Sequence, residues 1–315
     1  MAFDPTGRAR LIQTMTVPSK YILPAFFLTF LLGAMALGPL LYFGLAVVWP
    51  IPFHRAMDRA LLISAVAALG LFWPRIPLGK LWPWNDNAWK QGLLGFFIAA
   101  VSMQAMLGFN LAFSGFTSAH LSGSQATGRV LLALVAALLI PPLEETLFRG
   151  FIQRELVQGL GWRAGWIAAA AIYMLAHFLK IPAAVDHQPV RLWSGATALG
   201  EAFMPLVNGD FLSGRGLNLF LIGLILGGIF LRSGHLWVNA GLHGGWILGL
   251  LLFSGFTRPV EPPYVPFLGG DILSSFLTTV VLLMLSVWLW RYYRHPSSLP
   301  EAAPTPARGS GANAP

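Results

Sequence analysis

Two adjacent carboxylates and a guanidinium, Glu144, Glu145 and Arg149, stand in a hydrophobic run that begins at Val130. Charges in such surroundings are costly and are retained where they do chemistry or hold a partner. Successive residues of a helix point about 100° apart, so the two glutamates meet different neighbours. Glu145 stands one turn before Arg149 and pairs with it, which leaves Glu144 to face a cavity as a general base. The plain alternative is a structural Glu145–Arg149 pair with Glu144 in solvent at a helix end. Pro141 and Pro142 predict a kink or stop, with a restarted helix carrying both glutamates in its first turn, where the amide dipoles favour negative charge.

Two more clusters of polar residues lie in apolar runs. Tyr173 and His177 are one turn apart on one helix face. Glu144 and His177 are nearly equidistant along the chain from a turn expected at 159–161. In a straight antiparallel hairpin they therefore share one depth. Asn239 and His243 are again one turn apart, and Gly241, Gly244 and Gly245 permit close approach of a helix or a substrate backbone. A carboxylate and two imidazoles can activate water directly or can hold a metal; the candidate ligands are then Glu144, His177 and His243. The bland readings are an interfacial His177 at a helix end, and Asn239 and His243 tying helices together. The chain has no H-E-x-x-H helix, no G-x-S-x-G elbow and no phosphate-binding loop.

In this order, Glu144-Glu145-x-x-x-Arg149, Tyr173-x-x-x-His177 and a Trp-containing helix with His243 resemble the CPBP family, the CAAX-protease and bacteriocin-processing (Abi) intramembrane endopeptidases. The resemblance covers roughly 129–253. It implies a bundle of about eight membrane helices around an intramembrane cavity, and hydrolysis of a peptide bond near or in the bilayer. By that resemblance Glu144 is the base, His177 orients the water or shares its proton, and His243 stabilises the oxyanion. No cofactor is required, zinc being the alternative. Tyr173 stands where the family usually has Phe. Ile247, four residues beyond His243, stands where it usually has Asn, Asp or Ser. Asn239, four residues before His243, is then expected to supplement the oxyanion donor or to fix the imidazole. Ile247 also keeps open a non-catalytic scaffold or an immunity-type peptide-binding protein of the same fold. A proton-relay transporter is disfavoured by the lack of internal repeats.

Composition supports an all-α, polytopic membrane protein. The 315 residues are 56% hydrophobic and only 10% charged, with no cysteine and a mean hydropathy of +0.67; soluble domains are closer to a quarter charged. The net charge of +8 belongs to basic residues at segment ends, so no nucleic-acid partner is expected. The expected partners are the bilayer and a membrane-embedded or membrane-anchored peptide or protein. Spans are expected at 21–49 (bent at Gly38-Pro39), 60–73, 91–116, 129–158, 162–180, 217–231, 235–253 and 272–290, with an interfacial helix at 196–207. The bias of Lys and Arg places both termini in the cytoplasm, at the cell (inner) membrane. The organisation expected is an N-terminal segment (1–20), N-terminal helices (21–128), a catalytic core (129–253), a last helix with its flanks (254–296) and a disordered tail (297–315).

Overall fold

The computed structural model describes residues 19–46, 48–113, 116–259 and 271–292. The expected tail (297–315), most of the N-terminal segment (1–20), and Ser114 and Gly115 lie outside the described residues. The described chain is all-α apart from one small ribbon. Its helices are α1 (Ser19–Ala46), α2 (Phe53–Leu71), α3 (Asp86–Phe113), α4 (Gly123–Glu145), α5 (Arg154–Leu160), α6 (Trp162–Ala176), α7 (Ser194–Val207), α8 (Gly214–Ser233), α9 (Trp237–Phe256) and α10 (Phe276–Tyr292). Strands β1 (Phe116–Ser118) and β2 (Thr257–Pro259) pair antiparallel, Thr117 opposite Arg258.

Among the described residues five helices are long and apolar enough to cross a membrane: Lys20–Leu45, Asn87–Ala112, Gly123–Leu160, Gly214–Ser233 and Trp237–Phe256. This is a multi-pass pattern. The second, fifth and eighth expected spans are different in kind. Helix α2 carries Arg55, Asp58 and Arg59 in its first turns, α6 is only 15 residues long, and Phe276–Leu289 is a shorter apolar helix.

The chain forms two compact units. The first comprises residues up to Ile76 together with Phe151–Leu212. Its α1 runs through Pro24 and Pro39 without ending. Ala34, Phe53, Met57, Ile181, Ala198, Leu199 and Ala202 make a buried cluster beneath α7, whose far side exposes Glu201, Met204 and Val207. Phe26, Phe72 and Phe151 pack ring against ring, with Phe26–Phe151 centroids 5.1 Å apart. Asp186 caps α2 from a distance: its carboxylate accepts the His54 backbone N–H at 2.8 Å and bonds His54 Nδ1 at 2.5 Å. Gly161 makes the expected turn between α5 and α6 with a φ of 80°, a conformation that glycine adopts without strain.

The second unit comprises Pro77–Gly150 and the chain from Ser213 onward. Helix α9 is its centre and touches α3 and α4 through small residues. A Cβ on Gly241 would collide with the Gly92 carbonyl, and one on Gly245 would come within 2.7 Å of Phe96 O. This is the close approach expected of Gly241, Gly244 and Gly245, taken up by helices rather than by a substrate. Asn218 on α8 bonds Leu273 O, Ser275 O and the Thr279 hydroxyl, fixing the start of α10.

Helix α4 departs from expectation in a way that matters for the site. It begins at a capping box: Ser122 accepts from Gln125 N–H, and the Gln125 side chain accepts from Ser122 N–H. It then passes through Pro141 and Pro142 without stopping. Pro141 has no N–H for Ala137 O. That carbonyl lies against Gly244, where a Cβ would be only 2.7 Å away, so a neighbouring helix covers the exposed acceptor. Glu144 and Glu145 thus end an α-helix instead of beginning one, and the expected first-turn stabilisation by amide dipoles does not arise. The turns that follow, Thr146–Gln153, are π-helical, a wide coil often found at functional sites.

Candidate active site

Within the second unit the structure brings together Glu144, Glu145, Arg149, Asn239 and His243. Glu145 is fully buried, at 0% exposure, and is the hub. Its Oε2 faces Arg149 Nε at 3.3 Å, with the arginine only 2% exposed. Its Oε1 is 2.8 Å from His243 Nδ1. An ionised carboxylate only accepts, so the proton lies on Nδ1 and is donated to Glu145. Asn239 Nδ2 donates to Glu145 Oε2 at 3.3 Å and to Leu226 O on α8 at 2.6 Å.

Glu144 approaches the same imidazole from its other nitrogen. Its Oε2 is 3.8 Å from His243 Nε2, is itself buried and has no hydrogen-bond partner among the described residues. The side chain as a whole keeps 30% exposure. The two glutamates point apart, as helical geometry requires, yet they meet one ring at its two ends.

This geometry refines two sequence expectations. Glu145 was expected only to pair with Arg149; it also fixes the tautomer and orientation of His243. Asn239 was expected to supplement the oxyanion donor or to fix the imidazole, and the contacts favour the second, by an indirect route. Both its N–H groups are engaged by Glu145 and Leu226, so it steadies the imidazole through Glu145 and ties α9 to α8. One turn beyond His243 on α9, Ile247 contributes no donor. His235 lies in the turn before α9, where burial lowers its pKa.

Tyr173 and His177 form a pair of their own in the first unit. Their rings are 4.4 Å apart between centroids. His177 caps the C-terminus of α6. Its backbone N–H turns to Met174 O at 3.1 Å, and its ring Nδ1 bonds Tyr173 O at 2.8 Å. The ring thereby supplies the donor that an end-of-helix carbonyl needs.

Among the described residues no three His, Asp or Glu side chains are grouped as a metal site.

Sequence reasoning missed Trp82 and Thr146. Trp82 Nε1–H donates to Thr146 Oγ1 at 3.1 Å, and Thr146 directly follows Glu145. Nothing local in the sequence links Trp82 to a residue so distant along the chain.

Residues 126–249 match the family model described as "Type II CAAX prenyl endopeptidase Rce1-like". No curated protein and no solved structure matches the chain. The matched segment runs from α4 through α9 and contains every residue expected to act. The resemblance seen in the order of its glutamates and histidines is therefore matched independently: over residues 126–249 the chain is similar to the Rce1-like CAAX endopeptidases of the CPBP family.

Proposed function

We propose that this protein is an intramembrane endopeptidase that hydrolyses a peptide bond of a membrane-associated protein or peptide, using water activated by Glu144. One observation carries the reading: two successive carboxylates bracket a single imidazole, at 2.8 Å on Nδ1 and 3.8 Å on Nε2. With Nδ1–H committed to Glu145, the ring can exchange a proton or donate a hydrogen bond only at Nε2, the nitrogen beside Glu144.

Water lying between Glu144 and the substrate gives a proton to Glu144 as its oxygen attacks the carbonyl carbon. Nε2–H donates to the carbonyl oxygen as that oxygen becomes negative. The C–N bond then breaks, and Glu144 passes its proton to the departing amine. Formal charges sum to zero with both glutamates ionised, Arg149 charged and His243 doubly protonated, so the donor form of the ring belongs to a balanced cluster. His177, supported by the Tyr173 ring, is given a share in orienting water by the family resemblance. No metal or other cofactor is required by this sequence of steps.

The family description points to a lipid-modified chain as substrate, and the basic residues favour cytoplasmic termini in the cell membrane. The test uses purified protein in vesicles with lipid-tethered peptides, bearing and lacking a prenyl group, and reads products by mass spectrometry. Cleavage by the wild type that is lost in Glu144→Gln supports the reading. Peptide bound equally by both proteins and cut by neither supports the non-catalytic binder, which the donor-less Ile247 favours.

A further inference from the structure

The Leu81–Trp82–Pro83 segment holds together the two helix ends that carry the site. Leu81 O accepts the Leu236 backbone N–H at 2.9 Å. Pro83 O accepts Trp237 Nε1–H, also at 2.9 Å. Between them the Trp82 ring stands edge-on to Trp237, with centroids 5.3 Å apart and planes at 88°. All three contacts fall at the start of α9, the helix that carries Asn239 and His243. Trp82 also reaches the other side: its Nε1–H donates to Thr146 Oγ1 at 3.1 Å, and the Thr146 hydroxyl donates to Pro142 O at 2.7 Å. Thr146 is only 7% exposed and sits where α4 widens into the π-helical turns.

A helix changing from α to π spacing shifts the hydrogen-bond partner of each carbonyl at the junction. Thr146 ties that junction to Pro142, and Trp82 ties Thr146 to α9. The carboxylates of Glu144 and Glu145 are set by the junction, and the imidazole of His243 is set by α9. We propose that Trp82 is a positioning residue that, through Thr146, fixes the distance from Glu144 and Glu145 to His243. This rests on the endopeptidase reading for its effect on turnover, but not for its effect on geometry.

The experiment therefore has two arms, both on the full-length protein in nanodiscs. In the first, ring-nitrogen resonances of ¹⁵N-histidine-labelled protein are recorded, with His243 assigned by their loss in His243→Gln. In the second, cleavage of a lipid-tethered peptide gives kcat and KM. Trp82→Phe keeps an aromatic ring and removes the donor, leaving the Thr146–Pro142 bond in place; Thr146→Val keeps the shape and removes both the acceptor of Trp82 and the donor to Pro142 O. Each is expected to shift the His243 resonances and to lower kcat about fivefold to tenfold, the size of one hydrogen bond, with KM within about twofold. The double variant should be no worse than the worse single one, because both remove the same bond. Thr146→Ser should restore both readouts. His243 resonances unmoved in folded Thr146→Val overturn the proposal whatever turnover does, and that variant decides alone if Trp82→Phe does not fold. A wild type that cleaves nothing while the resonances shift as expected counts against the endopeptidase reading and for the positioning role.

Discussion

His243 Nδ1 lies 2.8 Å from Glu145 Oε1, and the carboxylate that receives its proton is entirely buried. The bond joins α9 to the end of α4 and gives a buried anion two cationic or donor neighbours, Arg149 and His243, besides the Asn239 amide. Breaking a buried pair is costly because the charge left behind has no solvent to turn to.

Glu145→Gln should therefore lose folded protein. It leaves Arg149 without its carboxylate and His243 without its anion, at a cost of about 3–5 kcal/mol. Thermal unfolding in detergent checks this. A melting temperature equal to that of Glu144→Gln would remove the distinction between the two glutamates.

Asn239→Leu should now lower stability as well as turnover. The substitution takes donors from Leu226 O and Glu145 Oε2, both buried, at about 1–3 kcal/mol. A melting temperature indistinguishable from wild type, with turnover cut tenfold, would instead restore the direct oxyanion role expected from sequence.

Gly241→Ala should separate α3 from α9, because the new Cβ would meet the Gly92 carbonyl, a backbone atom that cannot turn aside. Overpacking of this kind costs about 1–3 kcal/mol. Gly44→Ala, where a Cβ meets nothing within 4 Å, is the control and should unfold like wild type.

Asp186 predicts a pH dependence outside the membrane helices. Burial pushes its carboxyl up, but hydrogen bonds from the His54 backbone and ring outweigh that and hold it below the ordinary carboxylate value of 3.8. A depressed pKa contributes stability that is complete above the unfolded value and is lost as pH falls through the folded one. Asp186→Asn keeps an acceptor for the His54 backbone N–H but removes the charge that faces the His54 ring, and should lower stability at neutral pH by no more than about 1 kcal/mol, the worth of a partly exposed ion pair. The difference from wild type should begin to shrink as pH falls below 3.8, the unfolded value, and vanish only once pH has passed the lower folded one. A gap that stayed constant down to pH 2 would contradict a stabilising role for the Asp186 charge.

Much of this was readable from the chain because the signals are local. Apolar runs located α1, α3, α8 and α9, and spacing alone paired Glu145 with Arg149. The Ser122–Gln125 capping box was also local, although the start of the helix was expected later, at Arg129. Two features were not legible. Prolines at 141 and 142 argue for a break, and only the covering of Ala137 O by Gly244 shows why none occurs. Glu145 and His243 are 98 residues apart, and no periodicity connects them. Helical geometry rightly sent the two glutamates in different directions, but only the packing of α9 reveals that both directions end on one imidazole.

The central claim is that Glu144 supplies the base. The most direct measurement is the rate at which purified Glu144→Gln cleaves a lipid-tethered peptide in vesicles, beside wild type, with the melting temperature of each. Glutamine keeps the shape of Glu144 and cannot take a proton, and among the described residues Glu144 Oε2 holds no hydrogen bond to lose. The account predicts a rate lower by about 10²–10⁴, the contribution of a general base, with an unchanged melting temperature. A folded Glu144→Gln protein that cleaves at the wild-type rate would contradict it.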